Sequence, residues 1–87
     1  MRIDRDRLMN ASAEQVGRLA IALADLVQDQ PAEVRVLGTA AFFRVFMDRL
    51  GIPPQDAMTA VDNILAEAER LGVRQFAALR EYLKTDF

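Results

Sequence analysis

Proline and glycine divide this 87-residue chain into segments of helical length. The breaks fall at Pro31, at residues 51–54 (Gly-Ile-Pro-Pro) and at Gly72. Proline is favoured at the first position of a helix, and glycine is favoured just after the last one. The spacing therefore predicts four main helices, over residues 13–29, 31–50, 54–71 and 74–84. A short N-terminal arm or helical turn that carries Ile3 precedes them, and Phe87 is expected to fold back onto the last helix.

Apolar residues recur with the helical period in each segment, and no segment alternates as a β-strand does. Ser12 followed by Gln15 is a capping-box pattern, which starts the first helix at Ala13. The sequence predicts an all-α fold, a compact bundle that forms one domain over residues 1–87. The stripes expected to face inward are Val16, Leu19, Ala20, Leu23 and Val27 in the first helix, Ala57, Val61, Ile64, Ala68 and Leu71 in the third, and Phe76, Leu79 and Leu83 in the fourth.

The segment 31–50 is apolar on two opposite sides. One side carries Val34, Leu37, Ala41 and Val45, and the other carries Val36, Ala40, Phe43, Phe46, Met47 and Leu50. A helix with two apolar faces has to be covered on both of them. We therefore expect this helix to be the stability centre of the fold, with Phe43 and Phe46 buried. The alternative is that Gly38 breaks the segment into a short leading turn and a longer helix.

Three phenylalanines lie within five residues of that segment, and they spread over more than about 120° of helix surface. Hydrophobic residues make up 52% of the chain, although a domain of this size buries only about 60–65% of its unfolded surface. One small core does not accommodate all of this apolar surface, so at least one phenylalanine should meet another subunit or a partner protein. We predict a homodimer with an interface formed by Phe42, Phe43, Phe46 and Met47.

The chain contains no histidine and no cysteine. Their absence removes the usual zinc patterns, thiol chemistry and the side chain that most often titrates near neutral pH. Acid–base catalysis would have to rest on carboxylates, Tyr82 or Lys84, and Ser12 is explained by its capping position. We therefore expect no enzymatic activity, no cofactor and no metal site.

The charges and apolar runs of the sequence indicate which classes of partner the protein can bind. The net charge of −2 argues against a protein that holds a polyanion by bulk electrostatics. Asp25, Asp29 and Glu33 are spaced by four residues, and we interpret them as solvated charges rather than as ligands of a divalent ion. The longest uncharged apolar run, 19–24, is far shorter than the roughly 20 residues of a membrane span. We expect a cytoplasmic protein that does not act at a membrane.

Residues 68–81 resemble the turn region of helix-turn-helix DNA-binding proteins. In those proteins a small alanine stands four residues before a turn glycine, hydrophobic residues flank the glycine, and apolar positions follow six and nine residues later. The matching residues here are Ala68, Leu71, Gly72, Val73 and Ala78. Glu67 and Glu81 depart from the pattern, because the family buries apolar side chains at those positions. An ordinary hairpin of two helices with a glycine-capped turn gives the same spacing, and we favour that interpretation.

The resemblance implies a phosphate-contacting face made of Arg70, Arg74, Arg80 and Lys84. Acidic residues are interleaved with these four, which favours a solvated face over a phosphate-binding one. Our leading hypothesis is a small non-enzymatic helical interaction module, homodimeric, that binds another protein. Its size and its Ala- and Arg-rich composition resemble those of small bacterial and phage accessory or inhibitor proteins. The alternative is a helix-turn-helix type DNA-binding transcription regulator that uses residues 68–84, although nucleic acid is the less expected partner.

Overall fold

The structure is a computed structural model that describes residues 5–86 of the backbone and residues 6–84 of the side chains. It contains five helices, α1 (Arg5–Met9), α2 (Ala13–Val27), α3 (Ala32–Leu50), α4 (Pro54–Leu71) and α5 (Arg74–Asp86). Of the described residues, 85% are helical and none lies in a strand, so the predicted all-α fold is confirmed. The predictions for Ile3 and Phe87 concern side chains outside the described residues.

Local capping interactions set most of the helix ends. The Ser12 hydroxyl accepts a hydrogen bond of 3.3 Å from the backbone N–H of Gln15 at the start of α2. Gly51 and Gly72 follow α3 and α4 in the left-handed conformation, with φ of 70° and 71°. Glycine adopts this conformation without the steric cost that a β-carbon imposes. These three predicted ends are confirmed.

Three boundaries differ from the prediction by one or two residues. Two of them lie at the turn between α2 and α3, and the third is the end of α5, which reaches Asp86 rather than residue 84. α2 ends at Val27 rather than at residue 29, where the N–H of Gln30 donates to the Val27 carbonyl over 3.1 Å. Pro31 is the residue that precedes α3 rather than its first helical residue. A proline disfavours helical geometry in the residue before it, so Gln30 leaves the helix and the chain turns.

α3 is one continuous helix of 19 residues, so Gly38 does not break it. The helix nevertheless contributes little to the interhelical contacts of the chain, which are most extensive between α2 and α5. Its C-terminal end joins α4 through a small cluster in which Met47, Leu50 and Ala57 are buried and Phe43 and Ile52 pack against them. Between residues 32 and 46 the side chains are exposed except for half-buried Arg35 and Phe43.

The main core lies between α2, α4 and α5. Ala13, Ile64, Ala68 and Phe76 are buried in it, and the hydroxyl of Tyr82 on α5 donates to the side chain of Gln28 at the end of α2 over 2.6 Å. The expectation that the 31–50 helix is the stability centre is therefore wrong, since Phe46 remains 45% exposed. A hydrophobic segment becomes the core only where other helices pack on it, and here they pack on one another instead.

Small residues, rather than large ones, face inward along α2. Its buried residues are Ala13, Gly17 and Ala24, and the inward stripe predicted from the periodicity is wrong at Leu19 and Leu23. The reason is steric, because α5 approaches α2 closely at Gly17. A β-carbon added there would lie 2.5 Å from Cβ of Gln75 and 3.5 Å from Cε2 of Phe76.

α4 shows a similar preference for small residues in the interior, whereas α5 buries Phe76 and exposes Ala77 and Ala78. The buried residues of α4 are Ala57, Ala60, Ile64 and Ala68. Val61, Leu71 and Leu83, which the periodicity places inside, are exposed. Alanine lets two helices pack at short range, whereas larger side chains at the same positions hold them apart.

We predict that Gly17→Ala lowers the free energy of unfolding by about 1–2 kcal/mol. The new methyl group overpacks the contact with Gln75, at a cost of about 1–3 kcal/mol that the better helix propensity of alanine only partly offsets. Gly38→Ala is the matched control, because no atom lies within 4 Å of a β-carbon added there. That variant should gain about 0.5–1 kcal/mol. Urea denaturation measures both, and a stabilised Gly17→Ala protein would show that α2 and α5 are farther apart.

The position of the core gives a second prediction. Phe76→Ala should cost about 3–5 kcal/mol, enough to unfold most of the population of a domain this small. Leu71→Ala, on the exposed side of α4, should change stability by no more than about 0.5 kcal/mol. Far-UV circular dichroism during thermal unfolding compares the two variants. Equal midpoints would contradict the assignment of the core to α2, α4 and α5.

Candidate functional site

Two stacked phenylalanines on α3 are the most conspicuous exposed feature of the chain. Phe42 and Phe46 lie one helical turn apart, with ring centroids 5.5 Å from each other and ring planes 6° apart. Their side chains remain 62% and 45% exposed. We call them the phenylalanine pair. Exposed aromatic surface of this kind is enriched at protein interfaces, where it supplies much of the binding energy.

The other two predicted interface residues take part in the packing of the chain itself. Met47 is buried in the small cluster at the end of α3, and Phe43 is half-buried against that cluster. The structure thus divides the four predicted residues by direction around the helix. Phe42 and Phe46 are exposed to solvent, whereas Phe43 and Met47 attach α3 to α4.

A second apolar surface on α3 adjoins the phenylalanine pair. We call it the α3 apolar face, and its members are Val34, Leu37, Ala41 and Val45, all of them exposed. At 100° per residue this face and the phenylalanine pair together span about 180° of the helix surface. An apolar stripe that faces one neighbour needs only about 100°. α3 therefore carries enough apolar surface for two neighbours.

α2 carries a third exposed apolar surface, the α2 leucine stripe, formed by Leu19, Leu23 and Leu26. These residues are spaced by four and three positions, so they share one side of the helix, and they are 62%, 43% and 76% exposed. Sequence reasoning misses this surface because it assigns Leu19 and Leu23 to the core. A signal is nevertheless present, since the small residues Ala13, Gly17, Ala20 and Ala24 form a continuous stripe of their own.

The total accessible surface of the chain is larger than that of a compact monomer of the same mass. The accessible surface is 6663 Å², whereas a compact monomer of 9.8 kDa has about 5,200 Å² by the usual scaling with mass. The difference is about 1,500 Å². A standard protein interface covers about 800 Å² on each partner, so the excess is large enough for a stable association.

The four basic residues of the proposed nucleic-acid face are placed on the outside of the α4–α5 hairpin. Arg70 and Lys84 pair with Glu67 and Glu81 at 4.0 and 3.2 Å. Arg74 and Arg80 border a shallow cavity of about 260 Å³ whose floor includes the buried Ala68 and Phe76. Exposed ion pairs such as these contribute little stability, but they lower the positive charge offered to phosphate.

The turn at Gly72 does not pack as the resemblance to helix-turn-helix proteins implies. Leu71 and Ala78, which the motif places between its two helices, are exposed. Glu67 and Glu81 point to solvent as well, so they cost nothing by burial. Of the matched positions, Ala68 is buried and Val73 is half-buried. The local geometry is that of two helices joined by a glycine-capped turn.

The polar residues offer little chemistry. Asp25, Asp29 and Glu33 are exposed, and no group of three or more acidic side chains within residues 6–84 lies close enough together to hold a metal ion. The Tyr82 hydroxyl and the Lys84 ammonium group both have hydrogen-bond partners on the surface. In the described part of the chain, no helix is long and apolar enough to cross a membrane.

No family model, curated protein or solved structure matches this chain. The surfaces of the chain itself are therefore what bears on its function. A small monomer rarely exposes large contiguous apolar patches. The surfaces that differ from this norm are the phenylalanine pair, the α3 apolar face and the α2 leucine stripe.

We predict that the protein does not retain DNA. A DNA-binding domain normally keeps a non-specific dissociation constant of about 10⁻⁴ to 10⁻⁶ M even at physiological salt, and its affinity falls steeply as salt is added. Fluorescence anisotropy on pooled genomic fragments at about 50 mM salt tests this, with an Arg70→Glu/Arg74→Glu variant as the control. Submicromolar binding that disappears in the variant would favour the transcription regulator instead.

Proposed function

We propose that this protein is a small non-enzymatic interaction module that forms a homodimer and acts by binding another protein. The observation that carries the proposal is the exposure of α3. This helix of 19 residues is attached to the body mainly at its C-terminal end, and the phenylalanine pair and the α3 apolar face are open to solvent. Association removes such surface from water, which is the dominant favourable contribution to most protein–protein contacts.

The composition of the core supports an association that stabilises the fold. Five of the nine buried apolar residues among those described are alanines. A fully buried Leu, Met, Ile or Phe side chain stabilises a fold by about 1.5–3 kcal/mol, and the core contains only four of these. The single chain thus has little stability of its own. Dimerisation adds to this stability, so the observed stability increases with protein concentration.

The residue inventory supports binding rather than catalysis as the mode of action. The sequence lacks histidine and cysteine, and the polar side chains form ion pairs within single helices, such as Arg44 with Asp48 at 3.9 Å. Nothing in this set activates a nucleophile or orients a general base. A dimer in contrast presents two copies of each helical surface to a second protein, which strengthens binding through multivalency.

We expect light scattering after size-exclusion chromatography to give twice the chain mass of 9.8 kDa at micromolar concentration. Phe42→Ser/Phe46→Ser should reduce the mass to that of one chain, because the substitutions remove the apolar surface that the dimer buries. Leu71→Ser is the matched control, since Leu71 is as exposed as Phe42, at 62%. A wild-type mass of one chain, or a double variant that still dimerises, would contradict the proposed interface.

The second half of the proposal concerns the other protein. Tagged wild-type chain is used to capture proteins from the host lysate after nuclease treatment, and the captured protein is then purified and mixed with the chain. We expect a stoichiometric complex to reassemble from the two purified components. Capture that depends on nucleic acid, with no reassembly, would instead support the helix-turn-helix alternative.

A further inference from the structure

We propose that the α3 apolar face of each chain docks on the α2 leucine stripe of a second copy. This inference rests on the proposed homodimer and assigns its contacts. The phenylalanine pair then forms only part of the interface. In the rest of the interface, α3 of each chain packs on α2 of the other chain. In a two-fold symmetric dimer both contacts form twice, because the same surfaces meet in each direction.

The shapes of the two surfaces are complementary. The α2 leucine stripe is a ridge of three long side chains at the spacing of a packed helix face. The α3 apolar face contains the small residue Ala41, which lies one helical turn from the larger Leu37 and from Val45. Large side chains on one helix pack into the gaps that small residues leave on another. Two α3 apolar faces, or two leucine stripes, match each other less well.

The charges of the two segments also favour this pairing. Residues 13–30 carry three acidic side chains and one basic side chain, for a net charge of −2. Residues 32–50 carry three basic and two acidic side chains, for a net charge of +1. Contact between α2 and α3 of different chains brings opposite net charges together. Contact between two copies of α2, or between two copies of α3, brings like charges together, which is unfavourable.

The occupant is a second copy because the chain's own α3 is held away from α2. At its C-terminal end, Met47 and Leu50 pack with Ala57, and Gly51 fixes the turn into α4. At its N-terminal end, residues 28–31 connect α3 to α2. α3 is a rod of about 28 Å that is packed at its C-terminal end and joined to α2 by a short connection at its N-terminal end. Laying it along α2 of the same chain would separate Met47 and Leu50 from their buried contacts.

The surface area is consistent with such an interface. The chain exposes about 1,500 Å² more than a compact monomer of its mass, measured from its 6663 Å². A standard interface takes about 800 Å² per partner. Reciprocal docking of α3 on α2, together with contact at the phenylalanine pair, therefore fits within the excess surface of each chain.

Disulfide trapping between two chains tests the proposal directly, because the wild-type sequence contains no cysteine. A Leu23→Cys variant is mixed in turn with four single variants, Val34→Cys, Leu37→Cys, Ala41→Cys and Val45→Cys, under mild oxidation. A disulfide requires the two β-carbons to approach within about 3.5–4.5 Å. We expect at least one mixture to give a covalent heterodimer in high yield. Asp25→Cys, an exposed position about 160° around α2 from Leu23, is the control and should not cross-link.

The outcomes separate this inference from the homodimer proposal. Failure of the wild-type protein to dimerise would overturn both. A dimer in which the α3 variants cross-link to one another but never to Leu23→Cys would overturn the docking alone. Cross-linking of Asp25→Cys as efficient as that of Leu23→Cys would also overturn it.

A charge-pair experiment checks the result without cysteines. Leu23→Glu and Leu37→Lys each place a charge on an exposed position, so the single chain keeps its fold. We expect each variant alone to elute as a monomer and an equimolar mixture to elute as a dimer. The mixture forms one Glu–Lys contact and one wild-type leucine contact. A mixture that stays monomeric would overturn the docking of α3 on α2.

Discussion

The close approach of α5 to α2 at Gly17 determines the rest of the structure. Because this position has no side chain, Gln75 and Phe76 come within contact distance of the α2 backbone. That contact turns the small residues of α2 inward, and it also places Tyr82 where its hydroxyl reaches Gln28. The leucines on the other side of α2 are then left in solvent. A side chain at position 17 would separate the two helices and remove the reason for this orientation.

The close packing of α2 and α5 also explains why large apolar side chains of the chain remain exposed. A core built largely of alanine lets helices pack at short range, but it buries little area for each residue. The larger apolar side chains, including Phe42, Leu19 and Leu26, lie outside it. A second copy supplies the neighbours that the single chain lacks, and the opposite net charges of α2 and α3 favour one arrangement of the two copies. Self-association therefore buries the apolar side chains that the core of a single chain leaves exposed.

The parts of the structure that depend on local interactions could be predicted from the sequence, and the parts that depend on helix packing could not. The ends of α3 and α4 follow from Gly51 and Gly72, and the start of α2 follows from Ser12. The face that each helix buries could not be predicted in this way. Hydrophobicity favours burial of Leu19 over Gly17, but the close approach of α5 requires Gly17 to face inward. The crowding of three phenylalanines predicts that at least one of them lies outside the core, as Phe42 does, but the exposure of Phe46 contradicts its expected burial. The packing of Phe43 and Met47 near α4 could not be predicted from the sequence, because it depends on where α4 begins.

Amide hydrogen exchange measured at two protein concentrations tests the central claim most directly, since it reports on each helix separately. The account predicts that the amides of α3 and of the C-terminal half of α2 exchange more slowly at the concentration where dimers form. The amides of α5 between residues 74 and 84 should change little in comparison, because their contacts with α2 lie within one chain. Exchange in α3 that is unchanged by concentration would contradict the claim that a second copy covers its exposed apolar surface.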